Sequence, residues 1–115
     1  MNYAKMDQEF KPEWLEALRS GKYKQGRKNL RNNRGYCCLG VACEVAGIPR
    51  QKVNSYKSQY IFQGSTYDAP VIGTVAHPPS NWKGLSDAAI DHLIEMNDTI
   101  KASFSEIADW VEQNL

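Results

Sequence analysis

The chain has 115 residues, of which 42% are hydrophobic and 23% charged, and its formal net charge at pH 7 is +1. These values are typical of one globular domain, residues 1–115, that can form a core without help from metals or disulfides. They exclude an indiscriminate polyanion binder, and the lack of an apolar run near 18 residues predicts no membrane span.

The cysteines and the N-terminus predict a compartment. Cys37, Cys38 and Cys43 are odd in number and two are adjacent, so they form a poor disulfide framework. Residues 1–10 lack the apolar core of a signal peptide. Together these features predict a reducing cytoplasm.

The first half of the chain predicts two short helices. Residues 1–10 are expected to be a loosely ordered lead-in. Pro12 suits a first helical turn, and an apolar stripe follows it, so a helix is predicted over 12–20. Residues 22–36 lack a clear period and are predicted to form a loop or irregular hairpin. A second helix is predicted over 37–46, ended by Gly47.

The second half predicts strands and then two more helices. Residues 50–83 are expected to be extended, with strands at 60–62, 66–67 and 69–75. Ser86 is expected to cap a helix that ends at 97–98. Ser103 and Glu106 form a capping box at the start of the last helix. The predicted fold class is α+β, with about four short helices and a small antiparallel sheet.

Charge is distributed unevenly along the chain. Residues 17–43 contain seven Lys or Arg and no acid, whereas residues 84–115 contain seven acids and Lys101 as the only cation. One interpretation is that the acidic helices neutralise the basic segment, within the fold or between subunits. The other is that the basic face stays open for an anionic ligand.

The basic segment is the strongest candidate for a binding site. Its Arg and Lys side chains are suited to phosphates, its tyrosines to stacking a base, and its asparagines to sugar hydroxyls. A solvated loop remains the plain alternative. Extended nucleic acid is not expected, because the net charge is low and no nucleic-acid-binding motif is present. The candidate ligand-binding residues are Tyr23, Arg27, Lys28, Arg31, Arg34 and Tyr36.

Other residues offer weaker candidates for chemistry. Cys37 and Cys38 begin a predicted helix beside Arg34, which would favour a reactive thiolate, but we favour core packing. Adjacent cysteines are poor zinc ligands, so neither a metal nor a cofactor is predicted. His77 could act as a general base, although it and His92 are both interpreted as surface histidines.

The acids of the predicted third helix have two interpretations. Asp87, Asp91, Glu95 and Asp98 lie on or next to this helix, the first three at intervals of four residues, and such a run could hold a divalent cation. Such spacing usually marks a solvated helix face, and we favour that interpretation.

Two parts of the sequence carry recognisable motifs. They are W-L-E-A-L-R-S-G-K-Y-K-Q-G with Y-C-C-L-G-V-A-C (14–26 and 36–43), and L-I-E-M-N-D with F-S-E-I-A-D-W-V-E (93–98 and 104–112). Together they resemble a family of small proteins encoded in bacteriophage genomes. Met96 departs from the family's usual Leu, and residues 50–83 match no pattern. The resemblance implies a phage accessory protein acting in the host cytoplasm, without implying an activity.

The leading hypothesis is a non-enzymatic binding protein that sequesters a phosphate-bearing, nucleotide-derived immune signal of the host. By analogy with small phage proteins that counter host defences, it would act as a sponge for that signal. A homo-oligomer is expected, because a small domain forms a deep pocket more readily at a subunit interface. The alternatives are an enzyme that degrades the signal through Cys or His chemistry, and a protein–protein inhibitor of a host defence protein.

Overall fold

A computed structural model describes residues 3–54, 57–62, 71–72 and 78–115 of the protein. Within these ranges the fold is α+β, as predicted, with helices, short antiparallel strands and a π-helical turn. The helices are α1 (Lys11–Arg19), α2 (Cys38–Val45), α3 (Asp87–Glu95) and α4 (Phe104–Asn114), with a 3-10 turn at Trp82–Gly84 and the π-helical turn at Met96–Ile100. The strands are β1 (Arg31–Asn32), β2 (Gly35–Tyr36), β3 (Arg50–Asn54), β4 (Lys57–Phe62) and β5 (Val71–Ile72).

The helices begin where the sequence predicts caps. The Ser86 side chain accepts a hydrogen bond from the Ala89 N–H at the start of α3. At α4 the capping box is complete, because Ser103 and Glu106 each accept from the other's backbone N–H. The predicted helices 12–20 and 37–46 are confirmed as α1 and α2.

The third helix does not stop at 97–98 as predicted. After Glu95 it widens into the π-helical turn, and Lys101 ends that turn in the left-handed conformation with φ of 62°. The backbone N–H groups of Lys101 and Ala102 both donate to the carbonyl of Met96. The widened turn continues the helical backbone past residue 97 and places residues 97–98 against residues 25–28 of the loop before β1, hereafter the basic loop.

The strands of the sheet pair in the order β2–β1–β4–β3, with β5 also paired to β4, and each of these pairings is antiparallel. The predicted strand at 60–62 is confirmed within β4, and residues 71–72 of the predicted strand 69–75 form β5. The predicted strand at 66–67 lies outside the described residues. Residues 31–36 form a tight hairpin, which confirms the irregular hairpin predicted for 22–36.

The core lies where α2 packs against α1 and α3, and where α1 packs against α4. Trp14 on α1 is fully buried, and its indole Nε1–H donates to the Cys38 carbonyl at 3.0 Å. Tyr60 on β4 is also fully buried, and its hydroxyl donates to Glu44 on α2 at 2.7 Å. These two bonds satisfy the polar ends of large buried aromatic rings.

The expected loose lead-in needs correction for residues 3–10. The Met6 N–H donates to the Leu115 carbonyl at 3.1 Å, and the Asp7 N–H donates to the Lys83 carbonyl at 2.9 Å. The side chains of Met6 and Phe10 are buried in the core. The sequence did not reveal this contact because the partners of Met6 and Asp7 lie 109 and 76 positions away in the chain.

Gly40 allows α2 to approach the basic loop closely. A Cβ atom at position 40 would collide with the backbone carbonyl of Leu30. Leu30 is buried, and its carbonyl accepts the N–H of Cys37 at 3.3 Å. The glycine of the C-C-L-G segment therefore lets the loop before β1 lie directly on the first turn of α2.

We expect Gly40→Ala to lower the free energy of unfolding by about 3 kcal/mol or more, because backbone atoms cannot move aside as a flexible side chain can. Gly47→Ala is the matched control. Gly47 has φ of +73° and no atom within 4 Å of the place where a Cβ would lie. Gly47→Ala should therefore lower the free energy of unfolding only by the cost of the left-handed conformation, about 1 kcal/mol. Urea unfolding measures both, and equal losses would contradict the close approach.

Candidate functional site

A basic cleft of about 550 Å³ lies between the loop before the β1–β2 hairpin and the end of the π-helical turn. Among the described residues, its lining combines four cationic side chains with three side-chain amides and one glycine, without an acid or an aromatic ring. The lining residues are Gln25, Gly26, Arg27, Lys28, Asn29, Asn32, Arg34 and Lys101.

Three of the six predicted ligand-binding residues line this cleft. Arg27, Lys28 and Arg34 meet there, although six positions of chain separate the second from the third. The turn of the hairpin brings Arg34 back, and its N–H donates to Asn32 Oδ1 at 2.8 Å. These three cations therefore line the same cleft.

The other three predicted residues form a separate cluster and do not line the cleft. The rings of Tyr23 and Tyr36 meet edge to face, with centroids 5.3 Å apart. Arg31 Nε donates to the Tyr36 hydroxyl at 3.0 Å, and its guanidinium carbon lies 5.3 Å from that ring's centroid. Both tyrosines also pack against the core. The aromatic rings are thus engaged with each other and with Arg31.

The cations of the cleft have no ionic partner among the described residues. The ion pairs that the described residues do form join Arg19 to Asp109 and Glu112, and Arg50 to Glu44. The acids of α4 therefore neutralise Arg19, at the edge of the basic segment, and no ion pair of the described residues involves a cation of the cleft. The expectation that acidic helices neutralise the basic segment holds for this one residue.

Two lysines of the cleft have unusual backbone conformations. Lys28 has φ of 68° and Lys101 has φ of 62°, a region that favours glycine. Their own N–H groups already have partners, since Lys28 donates to Asp98 Oδ1 at 2.9 Å and Lys101 to the Met96 carbonyl. Strained backbone of this kind concentrates at functional sites, where the surrounding structure holds it in place.

The buried amide of Asn97 joins the two sides of the cleft. Its Oδ1 accepts from Gln25 Nε2 at 2.9 Å and from the Cys38 N–H at 3.3 Å. Its Nδ2 donates to the Gly26 carbonyl at 2.9 Å and to Asp98 Oδ1 at 2.8 Å. All four hydrogen-bonding positions of the side chain are thus used, in a residue with no solvent exposure.

Lys101, which lines the cleft, and Asp98, which accepts the Lys28 N–H beside it, are residues that the sequence did not connect with the basic segment. Residues 97–98 look like a helix end, and nothing local shows that Asp98 holds the backbone of Lys28. Lys101 is conspicuous as the only cation of residues 84–115. That isolation was the one available signal, and without the tertiary contact it does not connect Lys101 to the basic loop.

The three cysteines are buried core residues. Burial raises the pKa of the Cys37 thiol to about 12, and burial raises the pKa of both Cys38 and Cys43 well above the ordinary thiol range. The Cys37 sulfur accepts the Gly40 N–H at 3.4 Å and so caps α2. The preferred interpretation of core packing is supported over that of a reactive thiolate.

The remaining candidates show no assembled chemistry. His77 lies outside the described residues, and the ring of His92 packs against Trp110 at a centroid distance of 4.5 Å. Asp87, Asp91 and Glu95 are exposed. No group of three or more potential metal ligands is found among the described residues, and none of the described helices is long and apolar enough to cross a membrane.

Replacing Asn97 by Asp tests the buried amide, because the change keeps the shape but removes both donors. A carboxylate would then face the Gly26 carbonyl and the Asp98 carboxylate. We expect the free energy of unfolding in urea to fall by on the order of 3 kcal/mol. The control Asn33→Asp alters an exposed residue of the hairpin turn and should change stability by about 0.5 kcal/mol or less. A loss no larger than the control's would refute the network.

Thiol labelling at pH 8 tests the burial of the cysteines. With raised pKa values the folded thiols stay protonated, so a charged aromatic disulfide reagent should label none of them in the native protein and all three in urea. Fast labelling of one native thiol would instead support a cysteine enzyme.

The raised thiol pKa values also predict how stability depends on pH. The free energy of unfolding should decline as pH rises above about 9, where unfolded thiols ionise and folded ones do not.

Comparisons with known proteins place the chain in a family without naming a function. Neither the curated proteins nor the solved structures contain a match to it. Residues 6–115 match one protein-family model, which covers nearly the whole chain, including every residue of the cleft. The chain therefore belongs to the family described as Domain of unknown function (DUF8296).

Proposed function

We propose that this protein binds, without transforming it, a small phosphate-bearing ligand derived from a nucleotide. One observation carries the proposal: four cations converge on one cleft of about 550 Å³. None of the four has an ionic partner among the described residues. That volume lies within the range of small-molecule sites.

The lining has the chemistry that such a ligand needs. Arg27 and Arg34 offer planar donor pairs for phosphate oxygens, while Lys28 and Lys101 offer point charges. The amide of Asn29 has no hydrogen-bond partner among the described residues, so it is available to a sugar hydroxyl.

Capture is favoured over turnover because no nucleophile or base is found among the described residues that line the cleft. This lining contains no Cys, His, Ser, Asp or Glu, and the nearby Asp98 carboxylate already accepts the Lys28 N–H and the Asn97 amide. The cysteines that could have served as nucleophiles are buried in the core, and burial raises their pKa values. A cleft of cations and amides binds an anion but offers no group to accept a proton from an attacking water.

The resemblance to phage-encoded proteins extends this proposal to a biological role. In the host cytoplasm the protein would sequester a nucleotide-derived signal of the host's immune system, and a homo-oligomer would present several such clefts. This step rests on analogy and not on the geometry. Mass spectrometry of small molecules that copurify from cells with an active signalling defence would identify the ligand.

One observation favours a second candidate, an inhibitor that docks on an acidic host protein. Ile100 is 58% exposed at the π-helical turn and precedes Lys101, so an apolar contact and a cation lie side by side there. A stoichiometric protein partner retained by the wild type and lost by Ile100→Ser, without any small-molecule binding, would support this candidate.

Isothermal titration calorimetry against ADP, ADP-ribose and cyclic dinucleotides tests the proposed function. We expect at least one of them to bind, and Lys28→Gly to weaken that binding about tenfold or more through loss of a charged contact. Glycine relieves the left-handed backbone at this position, so the variant should be as stable as the wild type or more so. Lower affinity with undiminished stability would separate a binding role from a structural one.

Lys22→Ala is the control for this titration, because Lys22 is an exposed cation of the same segment that does not line the cleft. Its affinity should match that of the wild type. No heat with any of the ligands from folded protein would overturn the proposed function. An equal loss in the control and in Lys28→Gly would also overturn it, because the binding would then be unspecific charge attraction.

A further inference from the structure

The chemistry of the cleft also specifies which part of a ligand it contacts. Its side chains are all cationic or amide, and no aromatic ring is among them. The two tyrosines nearest in sequence, Tyr23 and Tyr36, are packed edge to face and lie outside the cleft. Proteins that hold a base without hydrogen-bond readout usually stack it on an aromatic ring, and the described residues of the lining include none.

The charge of the cleft exceeds what one phosphate balances. Its four cations carry a formal charge of +4, and the nearby Asp98 carboxylate, which accepts the Lys28 N–H, reduces this to about +3. A phosphate monoester carries about −1.5 to −2 at pH 7. A chain of two or more phosphates is therefore the better electrostatic match.

The cations come from two separate parts of the chain that are held at fixed positions. Lys28 and Lys101 both have left-handed backbones, and both donate their own N–H groups to protein acceptors. Only their side chains remain for a ligand. The Asn97 amide ties the two parts together, so the cleft is organised before a ligand arrives.

We infer that the cleft recognises a pyrophosphate or longer phosphate chain, and that a base attached to this chain contributes little to the affinity. The inference rests on the proposed function and narrows its ligand class. Lys101 would contact the phosphate chain from one side, and Arg27, Lys28 and Arg34 from the other. The Asn29 amide would contact the sugar that follows the phosphates.

A matched series of ligands tests the inference by calorimetry at low salt without Mg²⁺. The series is adenosine, AMP, ADP, ATP, inorganic pyrophosphate and inorganic tripolyphosphate. We expect pyrophosphate to bind within about threefold of ADP, and tripolyphosphate within about threefold of ATP. AMP should bind about tenfold more weakly than ADP, and adenosine should not bind. ADP should displace tripolyphosphate from a single site.

Two conservative variants locate the binding. Lys101→Gln should weaken tripolyphosphate and ADP by the same factor of about ten, because both would lose the same phosphate contact. Lys22→Gln, outside the cleft, should leave both affinities unchanged. Thermal unfolding of each variant without ligand checks that the fold is retained.

The outcomes separate this inference from the proposed function. Tight binding of nucleotides with no binding of pyrophosphate or tripolyphosphate would overturn the inference and leave the proposed function standing. Binding of every anion with no effect of Lys101→Gln would also overturn it. If neither nucleotides nor inorganic phosphates bind the folded protein, both fail.

Discussion

The arrangement of this domain depends on one buried amide. Asn97 has no solvent exposure, yet it donates twice and accepts twice, joining the π-helical turn to Gln25, Gly26 and the first turn of α2. A buried amide is costly unless every position is paired, so the network fixes these segments relative to one another. The cleft lies between the segments that it joins.

Around this network the fold keeps charges of one sign together. Arg19 is neutralised by two acids of α4, whereas the four cations of the cleft have no ionic partner among the described residues. Two of those cations also occupy left-handed backbone conformations that glycine would adopt more easily. Uncompensated charge and strained backbone both lower stability, so their coincidence at one cleft supports a binding role for it.

The sequence predicts what depends on neighbouring residues and misses what depends on distant ones. Helix starts were predictable because the Ser86 cap and the Ser103 capping box act within one turn. Three of the six candidate residues, Arg27, Lys28 and Arg34, meet at one cleft because they belong to one local segment. The position of Lys101 and the role of Asn97 were not predictable, since they depend on contacts between residues as many as 72 positions apart. The position of Tyr23 and Tyr36 outside the cleft was not predictable either, because it depends on how their rings pack against each other and the core.

A backbone amide NMR titration with tripolyphosphate tests most directly whether the cleft organised by Asn97 is the anion site. We expect the amide signals of Arg27, Lys28, Arg34 and Lys101 to shift together until saturation. The shifts from both parts of the chain should give the same dissociation constant. Shifts confined to Tyr23, Arg31 and Tyr36, or no saturable shifts at all, would contradict this expectation.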